Sequence, residues 1–155
     1  MTMKKVGIIF EDKDILVINK PAGLVVHGDG RTKESTLADW ILEKYPEMKE
    51  VGEPIKTSSG EIIWRPGIVH RLDRYTSGMM VVAKNNKAFL DLKIQFQDHL
   101  IEKTYRVFVY GIIKEEDGRI DRPITRSRKD FRLWSAQRGG RGEEREAVEV
   151  YTPAV

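Results

Sequence analysis

HRLDRYTSGMMVVA, residues His70 to Ala83, places one aspartate between two arginines and runs without a break into an apolar stretch. Met79 to Ala83 carries no polar alternation, so it reads as a short strand buried on both faces. Gly78 lets the backbone turn into that strand, while Thr76 and Ser77 bring hydroxyls and backbone donors that can fix the loop and orient a carboxylate. Reactive side chains are commonly presented in this way, on a loop held by a rigid element. Arg71 and Arg74 flank Asp73, and neighbouring guanidiniums favour the ionised carboxylate, which suits a nucleophile or a base better than an acid. A solvated surface turn with a structural ion pair has the same local composition.

Working outward, VGIIF (Val6 to Phe10) and ILVIN (Ile15 to Asn19) are β-rich runs joined by polar EDKD, which predicts an antiparallel pair. KPAG then breaks the chain. STLADWILEKY (Ser35 to Tyr45) puts Leu37, Trp40, Ile41 and Tyr45 on one helical face, with Ser35 as the expected N-cap and Pro46 as a stop. From Glu47 to Trp64 the composition is that of a long loop or ordered insertion. After the buried strand, Asn85 or Asn86 caps a second helix whose Phe89, Leu92, Phe96 and Leu100 share a side. TYRVFVYGII (Thr104 to Ile113) and AVEVYT (Ala147 to Thr152) alternate as strands do. Strands and helices neither alternate strictly nor segregate, so the expected class is α+β, with a mixed, largely antiparallel sheet and flanking helices.

A chain of 155 residues, 40% hydrophobic, is one domain by length. Its net charge of +3 is unevenly placed. Arg119 to Arg145 alone carries +5, from nine basic and four acidic residues, and the remainder is −2. The natural partner of so concentrated a positive segment is a polyanion. There is no cysteine, which excludes a disulfide framework, a thiol nucleophile and a thiolate metal site. His27, His70 and His99 lack ligand spacing, so no metal is expected. The N-terminal apolar run is too short for a signal peptide or membrane span, and the expectation is a cytoplasmic, monomeric protein with no membrane partner.

HRLDRYTSG resembles the HRLDR-x-TSG signature of the RluA-type pseudouridine synthases. EDKDILVINKPAGLVVHG (Glu11 to Gly28) is similar to the first motif of that family and EKTYRVFVYG (Glu102 to Gly111) to its third, in the same order and at similar separations. IDRPITRSRKD and GGRGEEREAVEVYT resemble the loop and strand that follow, so the likeness extends from Glu11 to Thr152. It implies a pseudouridine synthase-like catalytic core occupying residues 1–155 as one partial domain, with no S4-type domain before it.

The implied activity is isomerisation of uridine to pseudouridine in structured RNA, ribosomal or transfer, with no cofactor. The N1–C1′ bond breaks, the uracil turns, and C5 bonds to C1′. One ionised carboxylate can serve this as a nucleophile at C1′, parallel to retaining glycosidases, or as a base at C2′ giving a glycal. By resemblance Asp73 is that carboxylate and Arg71 the side chain that fills the gap left by the flipped base. Tyr105 is the tyrosine against the uracil. His70, Arg74, Thr76, Ser77, Gly78 and Lys20 support the loop, with Lys20 structural rather than catalytic. Lys103, Arg126, Arg128, Lys129 and Arg132 are the expected RNA contacts, and Phe131 and Trp134 offer stacking surfaces or anchor the segment. The family pattern continues with TGR-x-HQ-(I/L)-R, which nothing here matches, so the core is expected to be incomplete at its C-terminal end and these residues alone poorly active. The competing function is a non-catalytic RNA-binding or RNA-chaperone module. A hydrolytic glycosidase is disfavoured because it needs two carboxyl groups in complementary roles.

Overall fold

Strand β1 (Gly7–Glu11) pairs antiparallel with β2 (Ile15–Lys20), the turn between them closed by Asp12, whose carboxylate accepts from the amides of Asp14 and Ile15 at 2.8 and 2.7 Å. These positions come from a computed structural model, which describes residues 5–28, 34–56, 60, 62–129, 133–136 and 140–153. The chain forms two compact units, 1–104 and 105–155.

In the first unit β2 is the centre of a three-stranded sheet, with β1 on one side and the later strand β5 (Gly78–Ala83) on the other. Leu16, Ile18 and Lys20 follow the period of two and point together into the interior, where Met80 and Val82 of β5 meet them. β5 was expected to be buried on both faces. Only one face is: Met79 is exposed, because among the described residues the core covers just the side that Met80 and Val82 reach.

Helix α1 (Leu37–Lys44) buries Leu37 and Ile41 on the predicted face. Its N-cap is Thr36, not Ser35, for a physical reason. Asp39 stands three residues after Thr36, so a capping box forms: Thr36 Oγ1 accepts from Asp39 N, and Asp39 Oδ2 accepts from Thr36 N at 2.8 Å. Ser35 would have had Ala38 in that place. Pro46 ends the helix as expected and opens a 3₁₀ turn, Pro46–Glu50, that buries Met48. The presumed loop beyond it holds two-residue strands β3 (Ile55–Lys56) and β4 (Ile62–Ile63), paired with each other. Asn85 caps helix α2 (Asn86–Gln97), accepting from Ala88 N at 2.9 Å. Phe89 is buried and Leu92 packs against the core, whereas Leu100 lies past the helix end and is 67% exposed.

The second unit contains β6 (Gly118–Asp121) paired with β10 (Val148–Tyr151), and a small sheet in which β7 (Ile124–Arg126) lies between β8 (Trp134–Ser135) and β9 (Arg141–Arg145). The strand expected over Thr104 to Ile113 does not form. Its alternating, β-branched sequence suits a pleated surface, but a strand exists only by pairing, and among the described residues nothing pairs with it. Every strand pairing among the described residues is antiparallel, and with the two helices the class is α+β, as expected.

Candidate active site

The loop from His70 to Gly78 enters β5 beside the end of β2, where Lys20 and Gly78 are cross-strand partners. Within it the side chains alternate: Arg71 out, Leu72 buried, Asp73 out. Leu72 thereby anchors the segment and aims its neighbours at solvent. A β-turn follows, closed by Thr76 N donating to Asp73 O at 3.1 Å.

The turn is held through one carbonyl. Arg74 O accepts from Gly23 N at 2.6 Å and from Lys20 Nζ at 3.2 Å. Gly23 makes the first bond from a φ of +82°, which glycine adopts without strain. Lys20 is wholly buried, 0% exposed, and its ammonium also donates to Leu24 O at 2.9 Å and Pro21 O at 3.2 Å. A buried ammonium is tolerable only when its protons are satisfied, and these three carbonyls satisfy them. One side chain thus ties the KPAG turn to the Asp73 turn, a supporting geometry and not a substrate-facing one.

His70 holds the other end. Val81 N donates to its Nε2 at 3.1 Å, and its ring stacks on Phe96 with centroids 4.5 Å apart and 17° between planes. Since Nε2 accepts, the proton of the neutral ring is on Nδ1. Burial, reinforced by the Lys103 charge, pushes its pKa down to about 4. The approach to His70 is fixed by Gly67, whose amide donates to Val51 O at 2.8 Å and whose carbonyl accepts from Ala83 N at 2.9 Å. At φ +64° a Cβ there would stand 1.9 Å from Ala83 O, so no other residue fits.

The Arg74 guanidinium makes a bidentate contact with Glu34, Nη1 to Oε2 at 2.7 Å, a partner 40 residues away that local sequence gave no means of finding, and none with the adjacent Asp73. One expectation needs correction. The hydroxyls of Thr76 and Ser77 do not pin the carboxylate: among the described residues they make no hydrogen bond, and backbone contacts plus Lys20 fix the loop instead. Asp73 is consequently exposed and in no ion pair among the described residues. An open cleft of about 360 Å³ lined by His27, Glu34, Ser35, Asp39 and Trp64 belongs to the same unit and does not include Asp73.

Lys103 is exposed near the end of the first unit. In the second unit Tyr105 is 56% exposed, and Arg126, Arg128 and Lys129 face solvent. Arg132 and Phe131 lie outside the described residues. Trp134, cross-strand from Arg126, has that guanidinium 4.2 Å from its ring centroid and the Arg145 guanidinium at 4.9 Å. Its ring organises the arginines around it. Among the described residues no helix is long and apolar enough to cross a membrane, and no three His, Asp or Glu side chains are gathered as a metal would need.

The profile described as RNA pseudouridylate synthase matches residues 14–154. An RNA pseudouridine synthase of Aquifex aeolicus is 42% identical over 135 residues, covering 86% of this chain and 40% of the relative. Ribosomal large subunit pseudouridine synthase D of Zymomonas mobilis is 39% identical over 137 residues, covering 88% and 40%. The solved structure of human RNA pseudouridylate synthase domain containing 1 superposes with a TM-score of 0.70 at 20% identity, covering 96% of this chain and 51% of that one, a likeness of fold. The chain thus spans about 40% of the length of these curated relatives.

Proposed function

The chain belongs to the RNA pseudouridylate synthase family, and we propose that it isomerises uridine to pseudouridine in large-subunit ribosomal RNA, with Asp73 as the carboxylate that carries the glycosidic step. The observation supporting this most is the double anchorage of Arg74 O by Gly23 N and Lys20 Nζ, which fixes the turn while leaving the Asp73 carboxylate exposed and uncommitted. The chemistry balances without a cofactor or metal: N1–C1′ breaks, C5–C1′ forms, the proton on C5 is lost and N1 regains one. Asp73 takes part as nucleophile at C1′ or as base at C2′.

The target must leave its stack to reach an exposed loop, and Arg71, also projecting, is the group to occupy the gap. Tyr105 is assigned to the uracil face. Lys20, His70, Gly78 and the backbone of Arg74 and Thr76 hold the loop, and Lys103, Arg126, Arg128, Lys129 and Arg132 contact RNA phosphates. The choice of ribosomal RNA follows the relatives named ribosomal large subunit pseudouridine synthase D, 39% and 40% identical. The protein acts as a monomer in the cytoplasm. Mapping pseudouridines in total RNA from cells with and without this gene tests the proposal. Loss of one or more sites in large-subunit ribosomal RNA is expected; an unchanged map, with RNA binding retained, would favour a non-catalytic RNA-binding module.

A further inference from the structure

His27, Arg65 and Arg71 lie within electrostatic reach of one another in the first unit. Burial is the main reason His27 resists protonation, and the Arg65 and Arg71 charges add to it; burial and then Arg71 likewise disfavour the charge on Arg65. Among the described residues none of the three is in an ion pair, unlike Arg74 with its Glu34. Two of their nitrogens, Arg65 Nε and His27 Nε2, are buried with no hydrogen-bond partner among the described residues. His27 Nδ1 lies 3.2 Å from Gly28 O, an acceptor, so Nδ1 carries the proton and Nε2 stands bare in the neutral ring.

The position of Arg65 is not incidental. Its carbonyl accepts from Ile68 N at 3.1 Å, closing a turn whose Gly67 and Ile68 are bonded to Ala83 and bridged to Val82 of β5. Arg65 and Arg71 therefore sit at the two ends of one rigid segment, Arg65 partly buried and Arg71 exposed. A part-buried guanidinium that faces a second positive charge and leaves a nitrogen unpaired is costly, and that cost is removed by a bound anion. A guanidinium matches the oxygens of a phosphodiester, and such an anion would also favour a proton on His27 Nε2, making it a second donor.

We propose that Arg65, with His27 and Arg71, forms a phosphate subsite that takes one phosphodiester of the RNA strand next to the target uridine. This rests on the RNA reading given above and adds Arg65 as a positioning residue. The test uses the protein with a uridine-containing RNA hairpin that it isomerises, in which each phosphate flanking the uridine is replaced singly by an uncharged methylphosphonate. Arg65→Gln is expected to weaken binding about tenfold, leave kcat within about twofold and lower the slope of log K against log[salt] by roughly 0.7 to 0.9. Arg65→Lys should recover part of the affinity. One methylphosphonate linkage should weaken the wild type equally and Arg65→Gln no further. Additive losses at every linkage, or an unchanged salt slope in a variant of unchanged Tm, would overturn the subsite. If Arg65→Gln does not fold, the wild type decides alone: a single linkage whose neutralisation removes that slope supports the subsite, and none doing so overturns it. Wild-type protein that neither binds nor isomerises any uridine RNA would instead overturn the family-based function.

Discussion

The two units are written in sequence of similar apolar content but use it differently. Every member of the buried apolar cluster lies between Val6 and Phe89, in the first unit. In the second, Val107, Phe108, Val109, Tyr110 and Ile112 are exposed, Phe108 and Tyr110 entirely so, and Thr125 is the buried residue of its small sheet among those described. The difference teaches that β-propensity specifies a strand only where a neighbour pairs with it. ILVINK and GMMVVA find each other across a full six-residue register, whereas TYRVFVYGII has the same pattern and no ladder. It also explains where precision is available: a carboxylate can be aimed only from a loop whose base is packed.

The contrast is open to measurement. Leu16→Ala should cost about 3 to 4 kcal/mol of unfolding free energy, since Leu16 is fully buried at the centre of the sheet; chemical denaturation gives the value. Lys20→Met should cost about 2 to 3 kcal/mol by stripping the ammonium from three carbonyls, and should lower kcat as well, because Arg74 O loses one of its two anchors. His70 supplies a pH test. Its folded pKa is about 4 against 6.5 for the free side chain, so the unfolded chain binds more protons between those values. Its contribution is complete above pH 6.5, declines as pH falls towards 4 and levels off below; the wild type should lose about 1 to 2 kcal/mol relative to His70→Gln over that window, allowing for solvent screening. At the other extreme, Phe108→Ala should shift stability by less than about 0.5 kcal/mol, as truncating a fully exposed ring removes no packing. An effect there as large as at Leu16 would erase the distinction between the units.

Much of this was legible in the sequence. Alternation in ILVINK already aims Lys20 inward with Leu16 and Ile18, and a buried lysine implies the ring of carbonyls that surrounds it. Both helices, the β1–β2 turn and the motif around Asp73 could be read locally. Long-range choices could not. Arg74 selects Glu34 over the adjacent Asp73 because only the fold brings Glu34 within reach, and the Arg65 orphan emerges only once burial is known. Thr36 could have been preferred to Ser35 from sequence, since Asp39 completes a capping box for one and not the other. The run from Thr104 to Ile113 misled because propensity reports suitability for a sheet without supplying the partner strand.

The central claim is that an anchored turn presents Asp73 as the reacting carboxylate. Single-turnover conversion of a uridine-containing ribosomal RNA fragment by the wild type and by Asp73→Asn, with RNA affinity measured in parallel, addresses it directly. The predicted result is a loss of roughly 10⁴-fold or more in the chemical rate with affinity changed by less than about threefold. Conversion by Asp73→Asn within tenfold of the wild type would contradict it.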